Sequence, residues 1–132
     1  MSLIIPIIKK ATENNDFRQV LYTGQKSQVV CMAIPVYGDI GEEVHAHIEQ
    51  ILVIVEGEAL SIIDGVSREV YTGDLVVVPP GAMHNFVNNG HGVLKLYTLY
   101  APVNHIDGRI HATKADAEAD EEDEAVGEKY TE

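Results

Sequence analysis

Three histidines, in two short segments, have the types and spacing of metal ligands. The first segment is HAHIEQ, His45 to Gln50, followed by an apolar run that closes at Gly57. The second is GDLVVVPPGAMHNFVN, Gly73 to Asn88, with His84 near its end. Both fall where strands are expected. Side chains on a strand alternate with a period of two, so His45 and His47 are expected on one face. His84, from a different strand, would then close a facial triad. Such a triad suits one divalent first-row transition metal with open coordination positions. A lone His is more often a surface or hydrogen-bonded core residue; the joint spacing is what favours ligands here.

The order Gly73, Pro79, Gly81, His84, Asn88 resembles the second signature of the cupin superfamily at every position. The first segment resembles the first signature in part: Gly38 or Gly41 leads, His45 and His47 form the pair, and Gly57 closes. The resemblance covers Gly38 to Asn88, and the later stretch LYTLYAPVNHIDGRIHATKADAEAD is similar to the C-terminal end of small single-domain bacterial cupins. It implies an all-β fold, a double-stranded β-helix or jelly-roll barrel, with a metal held by His45, His47 and His84.

The fourth ligand departs from that pattern. The family's acid stands seven residues before the closing Gly, and counting back from Gly57 lands on Gln50. Strand parity instead puts Glu49 on the face of His45 and His47, with Gln50 needing a bulge to turn inward. The count favours Gln50, and Glu49 is the alternative. Three imidazoles and an amide are neutral, so the metal would keep its full charge, polarise bound water strongly and favour the reduced state of a redox ion. Glu49 would weaken both effects. Iron, manganese, nickel, zinc and copper all accept imidazole, so the ligands do not choose among them.

The elements that must position these residues are short β-rich runs between turn signals. Strands are expected at Leu3–Ile8, Phe17–Thr23, Ser27–Ile34, Gln50–Glu56, Ala59–Ile63, Ser67–Tyr71, Leu75–Val78, His84–Asn88 and Val93–Tyr100. Asp64-Gly65 and Asn89-Gly90 read as hairpin dipeptides. Tyr97 and Tyr100 have opposite parity, so at most one faces the interior. Met83 reads as packing, Cys31 as core, and His91, His105 and His111 as surface residues. Residues 1–112 are expected to form the barrel and 113–132 an acidic tail. The helical candidate is Lys114–Ala125, with Thr113 and Asp116 as a capping box.

Composition limits the function. The 132 residues carry a net charge of −12. Thr113–Glu132 holds nine acids and two lysines, so seven of those charges belong to the tail, which is expected to solvate the chain end without packing. No basic stripe invites nucleic acid. No apolar stretch approaches the ~20 residues of a membrane span. One cysteine, and lysines that follow the N-terminal apolar run, point to a cytoplasmic protein without a signal peptide. Apolar residues on both faces of Gln50–Val55 and Leu75–Val78 point to a homodimer that pairs sheets, with exchange of the N-terminal strand as one way to build it.

The expected function is a small metalloenzyme acting on an oxygen-bearing metabolite, of dioxygenase or isomerase type. The alternatives are a non-catalytic module that binds a sugar or other small molecule, and a structural barrel without metal.

Overall fold

The computed structural model describes residues 2–128. The chain runs through α1 (Ile7–Glu13), β1 (Arg18–Thr23), β2 (Gln28–Ile34), β3 (Glu49–Glu56), β4 (Glu58–Ile63), β5 (Val66–Tyr71), β6 (Leu75–Val78), β7 (His84–Val87), β8 (Leu94–Ala101) and β9 (Ile110–His111), then α2 (Lys114–Ala119) and α3 (Glu121–Glu128). The strands form two antiparallel sheets, ordered β6-β3-β8-β2-β1-β9 and β5-β4-β7. This is the all-β architecture expected from the alternating runs. Among the described residues no helix is long and apolar enough to cross a membrane.

Alternation builds the core. On β3, Leu52 and Ile54 point inward and are buried, while Ile51, Val53 and Val55 are half-exposed on the other face. Val30, Met32, Leu94 and Leu96 of the large sheet meet Ala59, Val70 and Phe86 of the small one in a single apolar cluster. Asp64 (φ 48°) and Gly65 (φ 79°) turn β4 into β5 as a two-residue hairpin, the backbone their types favour. Asn89-Gly90 does not make a hairpin. Neither residue has positive φ, and the strands it joins, β7 and β8, lie in different sheets.

Three expectations are corrected. Leu3–Ile8 is not a strand: residues 2–6 are irregular and α1 begins directly after Pro6. Proline suits a helix start because its fixed φ and missing N–H cost nothing there. The isoleucine run had pointed to β structure, but Ala11, four residues after Ile7, is the side chain the helix buries. Strand exchange through this segment therefore loses its basis. The outer face of the large sheet stays open, with Leu75 59% and Val77 50% exposed.

The second correction is the tail. Its helical region is two helices broken at Asp120, and the first carries the full Thr113–Asp116 capping box. The third is that these helices pack. Ala117, Asp123 and Gly127 are buried, and a Cβ on Gly127 would stand 2.5 Å from Asn104 Oδ1. The acids do not simply repel one another, because several have partners on the barrel. Asp123 binds His105 Nδ1 at 2.7 Å and accepts from the Ile106 amide at 2.7 Å. Asp120 pairs with His111 at 2.9 Å and Arg109 at 3.0 Å. Residues 129–132 of the expected tail lie outside the described residues.

Candidate functional site

β7 carries His84 and Phe86 on its inner face, both buried. His84 Nδ1 lies 3.0 Å from the Ala82 carbonyl oxygen, to which it donates. That fixes the lone pair on Nε2, which is buried and has no partner. Burial is the largest influence on this ring and holds its pKa below the ordinary imidazole value, so it is neutral at pH 7. On β3, Gln50 is 2% exposed and donates through Nε2 to Thr98 Oγ1 at 3.1 Å. Its Oε1 is also buried without a partner. An unmet buried acceptor costs about 1–3 kcal/mol. Two such lone pairs are what a metal would satisfy.

The first segment reaches the site from a loop. Glu43 forms an isolated antiparallel bridge with His84, each amide donating to the other's carbonyl at 2.9 Å. This ties the Glu43 backbone directly to the strand that bears His84. The Glu43 carboxylate accepts from His45 Nε2 at 3.0 Å, so metal binding at that nitrogen would displace its proton. Burial pushes the Glu43 carboxyl up, but the hydrogen bond and charge of His45 outweigh it, with Arg18 and His105 assisting, and the net shift is downward. The His45 and His84 rings are 5.5 Å apart. Ligand-type atoms of Glu43, His45 and His84 all fall within 4.8 Å of one another. The buried Tyr100 ring lies 6.5 Å from His45 and 5.1 Å from His105, and burial raises its phenol so that it stays protonated.

The structure thus brings His45 and His84 together, with Gln50 on the inner face of β3, paired in register with Tyr100 and Val78. His47 is not among them: Ala46 and His47 form an exposed turn, so the His-x-His pair has no strand to align it. Glu49 is exposed at the start of β3. Gln50 needs no bulge, because the β3–β8 register shifts only beyond Ile54. Parity was carried back from β3 into a segment that is not strand. Glu43 was missed. The available signal was an acid two residues before His45; the family pattern directed attention to the residues after it.

Of the remaining residues, Tyr100 faces in and Tyr97 is half-buried, and Cys31 is core, its thiol pushed up to about 11 by burial. Met83 is 48% exposed and so contributes little packing. His105 and His111, expected at the surface, are buried under the tail. Between the barrel end and α2–α3 lies a cavity of about 370 Å³, with Arg18, Glu43, His45, His105 and Asp123 in its wall.

Comparison with known proteins agrees with this architecture. The Cupin domain family matches residues 30–100. The chain is 39% identical to the Bacillus subtilis protein YrkC over 125 residues, covering 90% of this chain and 67% of that one. It is similar to a crystal structure from Bacillus halodurans, BH2720, with a TM-score of 0.88 and 37% identity over 90% of this chain and 95% of the other. KdgF from Halomonas sp. shares the fold at a TM-score of 0.62, with 22% identity over 65% of this chain and 77% of that one. The chain belongs to the cupin family.

Proposed function

We propose that this cupin binds one divalent first-row transition metal through His45, His84 and Gln50, with Glu43 as a further ligand or as the partner that orients His45. On this reading it acts on a small oxygen-bearing metabolite, in dioxygenase or isomerase fashion. The observation that carries the reading is the pair of buried, unpartnered lone pairs on His84 Nε2 and Gln50 Oε1. Both are ligand atoms, and both are held by a hydrogen bond made at the other end of the same group.

When bound, the ion would supply Lewis acidity toward a substrate oxygen. The chain's own residues would do the rest. The Ala82 carbonyl keeps His84 in the tautomer that presents Nε2. The Glu43 carboxylate would orient the His45 ring through the 3.0 Å contact it makes with Nε2. The buried Phe86 ring, 6.4 Å from that of His84, and the buried Tyr100 ring, 6.5 Å from that of His45, would give the site an apolar flank.

The test is elemental analysis of protein purified without a His tag. About one first-row ion per chain is expected, and His84→Ala should weaken retention by about a hundredfold. His47→Ala should retain the ion. Full metal in His84→Ala sinks the assignment. Loss in His47→Ala would mean that the turn at Ala46–His47 rearranges on loading.

A further inference from the structure

Arg18, in the cavity wall, is left unexplained by the metal reading. It opens β1 and is paired in register with Met32 on one side and His111 on the other, so its place is fixed by ladders on both flanks. It is 5% exposed. Its Nε is buried without a hydrogen-bond partner, and among the described residues its guanidinium makes no ion pair or hydrogen bond. Its aromatic neighbour is the Phe17 ring, 5.3 Å from Cζ to centroid. A buried charge without a partner is costly, and folded chains pair such charges unless something from outside completes them.

The nearby acids are otherwise engaged. Glu43 is bonded to His45 at 3.0 Å and Asp123 to His105 at 2.7 Å. Lys114, the other cation of the wall, is paired with Asp39. The guanidinium therefore faces the cavity with its donors unspent. Its planar fork matches a carboxylate in a two-point contact. The same wall also carries Glu118, Glu124 and Glu128, so the surroundings disfavour a dianion such as phosphate more strongly than a single carboxylate held at the guanidinium.

We propose that Arg18 is the anion-recognition residue of this cavity. The metabolite is then a small monocarboxylic acid, held by its carboxylate at Arg18 and presenting a hydroxyl or carbonyl oxygen toward His45 and His84. The chelating half of this statement rests on the metal reading; the Arg18 half does not.

The test is calorimetric titration of the full chain, metal-loaded and metal-stripped, with L-lactate, 3-hydroxybutyrate, their methyl esters and inorganic phosphate. Metal content is measured on the same samples. At least one of the two acids should bind both forms, more tightly when metal is present, and the esters should not. Arg18→Met should lose about thirtyfold or more of that affinity. Without ligand it should melt within a few degrees of wild type, because the guanidinium makes no ion pair or hydrogen bond among the described residues. An arginine that merely holds the fold together would do the opposite, lowering the melting point and leaving binding intact. That result overturns the proposal. So does failure of both acids to bind wild type, and so does phosphate binding as tightly as the acids. Arg18-dependent binding by a chain that takes no metal would keep the anion site and sink the metal centre. A chain that takes the metal but binds the acids with an affinity independent of Arg18 would do the reverse.

Discussion

The strand-built floor of the barrel interior, which bears Gln50 and His84 behind His45, and the roof over the cavity are held by different kinds of bond. On the floor, Gln50 and His84 stand on strands. β3 is paired with β6 and β8, and His84 is joined to Glu43 and β4. Their positions follow from backbone ladders that any β-forming sequence would make. The roof depends on particular side chains. Gln28, fully buried, accepts from the Asn104 and His105 amides at 3.2 and 2.9 Å and donates to the His105 carbonyl at 2.8 Å. Asp123 then clamps His105 from above at 2.7 Å. Removing one partner from the floor deletes a ligand atom, whereas removing one from the roof loosens a whole segment. The floor should therefore govern what binds, and the roof access and stability.

The largest expected effect comes from removing the roof. A chain ending at Ala112 loses the buried His105–Asp123 pair, the Ala117 contact and the Arg109 ion pairs. The loss should be about 2–4 kcal/mol, discounted for the exposure of the Arg109 pairs. That corresponds to a fall of about 5–15 °C in the thermal midpoint. The truncated chain should still hold its metal, since none of the proposed ligands lies beyond Ala112. An unchanged midpoint would mean that α2 and α3 rest on the barrel without holding it. Metal loss would erase the division between floor and roof.

Acid should reach the roof by a gentler route. Burial, the largest influence, lowers the His105 pKa below 6.5, and Asp123 opposes it without reversing the direction. Arg18, Glu43 and Asp123 are the charges that act on this ring. A histidine with a depressed folded pKa contributes its stability fully above pH ~6.5, and that stability is lost as pH falls toward the folded value. Asp123, also held low, contributes above pH ~3.8 and loses its share only below that. Protection factors of the α3 amides, corrected for the intrinsic slowing of exchange in acid, should therefore fall between pH 7.5 and 5, while those of β3 and β8 hold. Equal change in both sets would show that the roof is not a separate unit.

The same contrast explains what could be read in advance. Eight of the nine expected strands exist, because alternation and turn dipeptides such as Asp64-Gly65 are local signals. Gly57 was a sound anchor for counting back to Gln50. Its φ of +97° and the Val93 carbonyl, 3.3 Å from where a Cβ would stand, leave room for little but glycine. Glu43 was not legible in the same way, since its place depends on a bridge to His84, far along the chain. Nor was the roof. Nine acids look like a solvated tail until His105, His111 and Arg109 are seen beneath them, and no local pattern announces that pairing.

The smallest expected effect tests the floor at Gln50. Gln50 and Glu49 are adjacent, but β3 turns them to opposite faces: Gln50 is 2% exposed and Glu49 open to solvent. An amide oxygen is a neutral, modest ligand, so Gln50→Ala should weaken metal affinity by only about fivefold to tenfold. It should nonetheless alter the visible spectrum of the cobalt-substituted protein, because the spectrum reports coordination geometry directly. Glu49→Gln, which removes an exposed charge, should leave both unchanged. Gln50→Glu sharpens the comparison further. A carboxylate in that pocket would neutralise part of the ion's charge, so binding should tighten and the pKa of bound water should rise. The Thr98 hydroxyl would then have to donate where it now accepts. A spectrum that responds to Glu49→Gln and not to Gln50→Ala would mean that β3 shifts register on loading. The ladder would then not fix the floor, and the contrast with the roof would fail at its better-defined end.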